Sequence, residues 1–217
     1  VSVALVVLAL ATCGTSAGSP CDVLGVNHLK AVEAELREST PDYATVVLCL
    51  EELVANERSP EADLYLSVLL AEGKGTSADA PGALELLKRA AQKVEVRAKV
   101  NLAIHYADPT KGDHDEGKAL SLAREAAMAG LAEAQHLLGA MLWKNGRADP
   151  TKQEAVAWFR KAALQGFPAS QYNLGVALYY GYGTEKDTAE ACKWFRAAAG
   201  AGMIDAVVAS RECEGRR

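Results

Sequence analysis

Ala134-Gln-His-Leu-Leu-Gly139 is followed 36 residues later by Ser170-Gln-Tyr-Asn-Leu-Gly175, and this interval organises most of the chain. A small residue recurs at the same spacing in five places: Ala62, Ala98, Ala134, Ser170 and Ala206. A fixed period of this size is the signature of a repeat array, in which each unit is one supersecondary element. The chain is therefore interpreted as a row of equivalent units.

Each unit contains two amphipathic stretches separated by a turn. Apolar or small residues recur at i, i+4 and i+8 of the first stretch, which is the spacing of one face of an α-helix. Glycines mark the turns, as in Gly181-Tyr-Gly183, and Gly166 stands just past a second stretch, where a left-handed C-cap is expected. One hairpin cannot bury both of its apolar faces, so hairpins stack on one another. The pattern predicts an all-α fold, an α-solenoid of stacked antiparallel helix pairs.

Two aligned positions indicate how the hairpins pack. The sixth residue of each unit is small, which allows helix backbones to approach: Ser67, Ala103, Gly139 and Gly175. A large residue recurs in the second helix and is expected to fill the space between hairpins: Leu86, Leu122, Trp158 and Trp194. The alignment therefore predicts that Trp158 and Trp194 are core residues.

These strings resemble the Sel-like repeat family, relatives of the tetratricopeptide repeat. The resemblance rests on the two strings above together with Tyr180-Gly-Tyr-Gly-Thr184, Ala157-Trp-Phe-Arg-Lys-Ala-Ala163 and Lys193-Trp-Phe-Arg-Ala-Ala-Ala199. It covers residues 62 to 205 as four repeats, although the first two units carry Leu in place of the Trp. The resemblance implies a tetratricopeptide-like solenoid, wound as a right-handed superhelix, that binds proteins.

The chain outside the repeats has three further parts. Residues 1–17 carry no charge and have the apolar core and small-residue end of a secretory signal peptide. Two alternatives stay open: a lipoprotein signal ending before a lipidated Cys13, and an N-terminal helix of the folded domain. Residues 18–61 are predicted as a helical pair that caps the array, and residues 206–217 as a closing helix and tail.

Four cysteines follow the signal segment, and an even count in an exported chain points to disulfides. Cys192 and Cys213 lie about ten residues on either side of one turn, so they come level in an antiparallel hairpin. Cys21 and Cys49 are the second predicted pair, although Cys21 must fold back to reach its partner. The alternative is that these are buried free thiols.

No catalytic motif accompanies the repeats. The cluster Asp113-His114-Asp115-Glu116 stands at a helix start, where carboxylates cap the helix, and we expect no metal and no cofactor. A cation recurs near the end of each second helix, where it complements the helix dipole: Lys88, Arg124, Arg160 and Arg196. The net charge of −5 argues against nucleic acid as a partner.

The inner surface remains as a candidate binding site. If the units pack like tetratricopeptide repeats, the first helices of the last two full repeats present aromatic and polar groups inward: His136, Trp143, Tyr172, Asn173, Tyr179 and Tyr180. Aromatic residues with a polar tip are enriched where partners bind, but inward aromatics also pack between neighbouring helices. Both interpretations stay open at this point.

The predicted function is a non-enzymatic module that binds a protein or peptide. By resemblance to Sel-like repeat proteins, it is an exported adaptor or assembly factor in the periplasm or cell envelope, with any membrane anchoring through a lipidated Cys13 only. The alternative is a penicillin-binding or weak β-lactamase activity, as described for cysteine-rich members of the family. Those members carry a Cys pair in every unit, and this chain does not.

Overall fold

The computed structural model describes residues 28–56, 59–93, 95–145 and 149–214. Within these ranges the chain forms eleven α-helices and no strand, which confirms the predicted all-α class. In chain order the helices are α1 (His28–Glu35), α2 (Tyr43–Asn56), α3 (Pro60–Glu72), α4 (Ala80–Gln92), α5 (Val96–Ala107), α6 (Glu116–Met128), α7 (Ala132–Asn145), α8 (Asp149–Leu164), α9 (Pro168–Tyr180), α10 (Thr188–Gly200) and α11 (Ile204–Glu214). The predicted signal segment and Cys13 lie outside the described residues.

Side-chain caps start the helices where the sequence changes from turn to amphipathic stretch. Asp115 accepts a hydrogen bond from the Lys118 backbone N–H at 2.9 Å, and Asp187 accepts one from Glu190 N–H at 2.8 Å. These bonds satisfy backbone donors that have no partner inside the helix. At the other end, Gly181 adopts φ 76° and ends α9, a conformation that favours glycine. Local chemistry therefore defines the turn between the two helices of a hairpin.

The helices divide into two compact units, between Leu86 and Leu87. In the first unit, α1 packs on α2 and α2 packs on α3. Its core consists of fully or nearly buried apolar residues: Val32, Val46, Val47, Cys49, Leu50, Leu53, Ala62, Leu66 and Leu69. Gly75, at φ 74°, lies so close to the Tyr43 carbonyl that no Cβ would fit there.

In the second unit, each helix packs against its neighbours in sequence from α5 to α11. The helices α5, α7, α9 and α11 are the first helices of successive repeats, and α6, α8 and α10 are the second helices. The small residues that recur every 36 positions, Ala98, Ala134, Ser170 and Ala206, are all fully buried. Close approach between helices is seen at the sixth position of the unit, as predicted: a Cβ on Gly139 or Gly175 would lie less than 3 Å from a phenylalanine ring of the second helix.

The large core residue of the second helices is Phe rather than Trp. Phe159 and Phe195 are 1% and 4% exposed, whereas Trp158 and Trp194 are half-buried at the margin of the same core. The prediction that the two tryptophans fill the core is therefore wrong. Adjacent helical residues differ by about 100° in direction, so only one of a Trp-Phe pair can face the core centre.

A disulfide joins the last two helices. Cys192 on α10 and Cys213 on α11 are bonded, with their Cα atoms 5.8 Å apart. The alternative that these two cysteines are buried free thiols is therefore wrong. Cys49 is buried in the core of the first unit, and Cys21 lies outside the described residues, so the pairing of Cys21 with Cys49 stays a prediction.

Candidate functional site

Two of the four recurring cations, Arg124 and Arg160, link consecutive repeats. Arg124 on α6 contacts Glu154 on α8, and Arg160 on α8 contacts Glu190 on α10, each through a 2.6 Å ion pair. The same glutamates accept hydrogen bonds from the indole N–H of the half-buried tryptophans, at 3.3 Å from Trp158 and 3.0 Å from Trp194.

The arginine hydrogen bonds lower the pKa of Glu154 and Glu190, because they favour the charged carboxylate. Trp158 and Trp194 thus take part in polar contacts that join consecutive second helices.

His136, one of the residues predicted for the inner surface, is half-buried between helices. Its Nδ1 lies 2.8 Å from the Ser170 hydroxyl, and its ring lies against Phe159 and Phe167 at centroid distances of 5.8 and 5.0 Å. Burial lowers the pKa of the imidazole, so the neutral form is favoured. The hydrogen bond joins α7 to α9, so packing between helices is enough to explain an imidazole at this position.

The Ser170–His136 pair has the spacing of an activated nucleophile, but its position does not suit catalysis. A nucleophilic serine must reach a substrate, and the Ser170 side chain is fully buried. The hydrogen bond to His136 instead satisfies a hydroxyl that would otherwise be buried without a partner.

Trp143 and Tyr172 bridge the core and the surface. Both are half-buried, Trp143 with its ring 6.0 Å from Phe159 and Tyr172 with its ring 5.7 Å from Phe195. Asn173 is half-buried beside Tyr172 on α9. One side of each aromatic ring therefore packs on the core phenylalanine of its own hairpin.

Three tyrosines at and after the end of α9, Tyr179, Tyr180 and Tyr182, form what we call the tyrosine cluster, in which Tyr179 is half-buried with its ring 6.3 Å from Phe195. Tyr180 and Tyr182 are 59% and 46% exposed, and their rings stack at 5.4 Å with an interplanar angle of 21°. Tyr179 meets Tyr180 edge-on at 5.0 Å. Trp143 lies 6.1 Å from Tyr182, so the aromatic surface continues from α9 onto α7.

The turn that carries Tyr182 is held in place by its flanking glycines. A Cβ on Gly183 would lie 2.6 Å from the carbonyl group of Lys152 at the start of α8, so only glycine allows this approach. Lys152 in turn places its ammonium group 5.5 Å from the Tyr182 ring and 5.9 Å from the Trp143 ring, within cation–π range. The tyrosine cluster is thus presented by a fixed turn.

A groove adjoins the tyrosine cluster between two first helices. We call it the α9–α11 groove; it has a volume of about 170 Å³ and is lined by Tyr172, Val176, Tyr179, Tyr180, Phe195, Asp205, Val208, Ala209 and Glu212. The α9 side and Phe195 supply aromatic walls, and α11 supplies Val208, which is 57% exposed, between two exposed carboxylates. The Cys192–Cys213 disulfide ties α11 to α10 at the end of this groove.

The structure brings together Tyr172, Tyr179 and Tyr180 of the predicted surface, whereas His136 lies away from the groove lining. Sequence reasoning missed Tyr182 and the residues that α11 contributes. The string Gly181-Tyr-Gly183 carried the signal for Tyr182, since a large aromatic in a tight turn has no core to fill. No pattern in the sequence marks Asp205 and Glu212, because α11 reads there only as a closing helix.

Within the described residues, no three His, Cys, Asp or Glu side chains converge in a way that could hold a metal ion. The acidic cluster at the start of α6 is used locally: Asp115 caps the helix, and Asp113 lies 2.8 Å from His105 Nε2. None of the helices in the described part of the chain has the length and apolar character needed to cross a membrane.

Comparisons with known proteins agree with the helix pairs seen here. The Sel1 repeat model matches residues 60–93, 96–131, 132–167 and 168–203, about two thirds of the chain. No curated protein sequence matches this chain.

Among solved structures, a protective antigen of uropathogenic Escherichia coli strains that displays an SLR fold superposes with a TM-score of 0.74 at 27% identity. That match covers 89% of this chain but 46% of the antigen, so the chain spans less than half of the antigen's length.

Two further structures share the fold at lower identity. A Sel1 repeat protein from Oxalobacter formigenes has a TM-score of 0.74 at 22% identity, over 84% of this chain and 76% of its own. An immunity protein from Pseudomonas aeruginosa has a TM-score of 0.55 at 18% identity, over 85% of this chain and 67% of its own. The repeat match, which spans more than half of the sequence, decides the family: the chain belongs to the Sel1 repeat family.

Proposed function

We propose that the chain is a non-enzymatic module that binds a protein or peptide through the tyrosine cluster and the adjoining α9–α11 groove. Sel1 repeats typically mediate protein–protein contacts. The observation that carries the proposal for this chain is the pair Tyr180 and Tyr182, which stack on one another while about half of each side chain faces solvent.

Packing explains the other aromatics but not this pair. A buried phenylalanine lies against each of four aromatic side chains of the surface: His136, Trp143, Tyr172 and Tyr179. Among the described residues, the rings of Tyr180 and Tyr182 instead contact other aromatics of this surface and Lys152. Large exposed aromatics beside an open groove offer apolar area at low entropic cost, and their hydroxyl groups can donate or accept hydrogen bonds. Such residues are enriched among those that dominate binding energy.

We further propose that the module works outside the cytoplasm, as an adaptor or assembly factor at the cell envelope. The apolar, uncharged segment 1–17 supports export, and so does the Cys192–Cys213 disulfide, because structural disulfides persist in oxidising compartments. N-terminal mass spectrometry of the native protein tests export: it is expected to show cleavage near Gly18 or a lipidated Cys13.

Peptide selection tests the binding surface directly. A random dodecapeptide library is selected on the full oxidised chain, and enriched peptides are then measured on Tyr180→Ala and on Met128→Ala. Met128 is 74% exposed on α6 and lies outside the groove, so it is a matched control for loss of exposed apolar area. Tyr180→Ala is expected to weaken binding by ~2 kcal/mol or more, about 30-fold, whereas Met128→Ala leaves it unchanged.

Equal affinity of both variants, or failure to enrich any peptide, would remove the proposal. The same preparation is assayed with a chromogenic β-lactam, for which we expect no turnover above a buffer control. Turnover there would favour the penicillin-binding alternative over the binding module.

A further inference from the structure

The α9–α11 groove carries chemistry that narrows the class of ligand. Resting on the proposed function, we propose that this groove binds a lysine or arginine side chain of a basic peptide segment. Its stem would lie along the aromatic and aliphatic walls, and its cationic head would lie on the α11 side of the groove, which carries the carboxylates of Asp205 and Glu212. Three properties of the groove support this occupant: its size, its walls and its charges.

The size of the groove fits one long side chain. The groove has a volume of about 170 Å³. Sites for drug-sized ligands are larger, roughly 300–1,000 Å³. A single side chain of a peptide that lies across the tyrosine cluster fits a groove of this size.

The walls suit an amphipathic side chain. Val176, Val208 and Ala209 supply aliphatic surface, and the tyrosine rings supply aromatic faces. Lysine and arginine place their methylene stems on apolar surface and keep the charged head in a polar environment. Aromatic faces also attract cations through the ring quadrupole, so the same walls favour a cationic head group.

The charges decide between a basic and a neutral occupant. Asp205 and Glu212 line the groove, and no lysine or arginine is among the described residues that line it. Neither carboxylate forms an ion pair or hydrogen bond with a described residue. A neutral apolar side chain would remove water from these carboxylates without replacing it, which is unfavourable, whereas a cation would compensate their charge.

The position of Glu212 strengthens this argument. It lies in the last turn of α11, where the negative end of the helix dipole disfavours a carboxylate. Helix stability therefore does not account for Glu212, although it could account for Asp205 in the first turn. The two residues are seven positions apart, which places both on one face of α11, about 10 Å from each other along the axis. Both carboxylates are thus available to one extended basic segment.

Charge-matched peptide pools test the proposal on the full oxidised chain. Fluorescein-labelled hexapeptide pools carry Lys, Arg, norleucine or Glu at the third position and vary elsewhere, and binding is followed by fluorescence polarisation. Norleucine keeps the stem of lysine without its charge. The Lys and Arg pools are expected to bind at least tenfold more tightly than the norleucine pool, and the Glu pool least.

Variants of the groove locate the effect. Glu212→Gln and Asp205→Asn should each weaken binding of the Lys pool several-fold and leave the norleucine pool unchanged. Glu133→Gln, an exposed glutamate in the first turn of α7, is the matched control and should change neither. Glu212→Lys should reverse the preference toward the Glu pool. Because these side chains are exposed, circular dichroism and thermal melts are expected to match the parent.

The outcomes separate this inference from the proposed function. If the Lys and norleucine pools bind equally, and both lose affinity in Tyr180→Ala, the chain binds peptides at this surface but the basic preference is wrong. If no pool binds, or if Tyr180→Ala binds as well as the parent, the proposed function is wrong and this inference with it. A Lys preference that persists unchanged in both Glu212→Gln and Asp205→Asn also overturns the inference.

Discussion

The Phe195 ring lies where a side chain on Gly175 would begin: a Cβ built on Gly175 would stand 2.6 Å from Cε1 of Phe195. The preceding repeat has the same arrangement, with a Cβ on Gly139 only 2.8 Å from the Phe159 ring. In the repeat before that, the equivalent residues are Ala103 and Ala123, both fully buried. Gly with Phe and Ala with Ala are thus two ways to fill the same space between the helices of a hairpin.

Gly175→Ala is expected to destabilise the protein by ~1–3 kcal/mol, the usual cost of adding a methyl group to a filled core. Urea unfolding followed by circular dichroism measures the change. Gly200→Ala is the control: nothing lies within 4 Å of a Cβ there, so it should be neutral or slightly stabilising. Adding Phe195→Leu to Gly175→Ala should cost less than the sum of the two single changes, and strict additivity would contradict the steric explanation.

Phe195→Ala should cost ~3–5 kcal/mol, and Trp194→Ala less than half as much. The phenylalanine is 4% exposed in the centre of the core, whereas the tryptophan keeps one side in solvent and donates a hydrogen bond to Glu190. Urea midpoints of the two variants, measured side by side, decide the order. A larger loss for Trp194→Ala would restore the prediction that the sequence alone favoured.

The sequence predicted the hairpins, their order and the small positions where helices meet, because period and turn chemistry are local properties. It could not choose between Trp194 and Phe195, since both are large, apolar and adjacent, and helical periodicity resolves faces only to about one residue. The groove could not be predicted from the sequence for another reason. Asp205 and Glu212 become part of a site only when α11 lies beside α9. The residues of α11 do not indicate this tertiary contact.

Stability should fall in mild acid through His136. A free imidazole has a pKa of about 6.5, and burial lowers the value in the folded protein. Between the two values the unfolded chain binds more protons, so the free energy of unfolding rises with pH there. The stabilisation that comes from burying neutral His136 is complete above about pH 6.5, and it is lost as the pH falls through the lowered pKa of His136 in the folded protein.

Urea midpoints between pH 7.5 and 5 measure this slope. His136→Asn, which keeps a polar partner for Ser170, should flatten it. A variant with the parent's slope would show that other groups are responsible. The lowered pKa values of Glu154 and Glu190 act in the same direction but only at lower pH, near and below the ordinary range of a carboxyl group.

The aromatic residues of the candidate site should separate into two classes. Trp143→Ala and Tyr172→Ala should lower stability, because each ring packs on a core phenylalanine. Tyr180→Ala and Tyr182→Ala should change it by about 0.5 kcal/mol or less, as is usual for exposed positions. Thermal melts measured beside binding titrations make the distinction. Early melting of Tyr180→Ala would return the tyrosine cluster to a packing role.

The Cys192–Cys213 disulfide should stabilise the chain and keep the groove intact. Its two cysteines are 21 residues apart in sequence, and closing a loop of that size contributes ~3 kcal/mol by chain entropy. Replacing both cysteines with alanine removes this bond alone. Reduction with a thiol could also act on Cys49, so it is not used. Hydrogen exchange across residues 204–214 should then accelerate, because α11 packs on α10 beside this bond.

In the variant without the Cys192–Cys213 disulfide, peptide affinity should fall together with the protection of α11 from hydrogen exchange, since this helix forms one wall of the groove. Tyr180→Ala in the oxidised chain is the contrast, because it should lose affinity without faster exchange in α11. If the double alanine variant keeps both its exchange rates and its peptide affinity, α11 is held by packing alone and the disulfide has no part in forming the site.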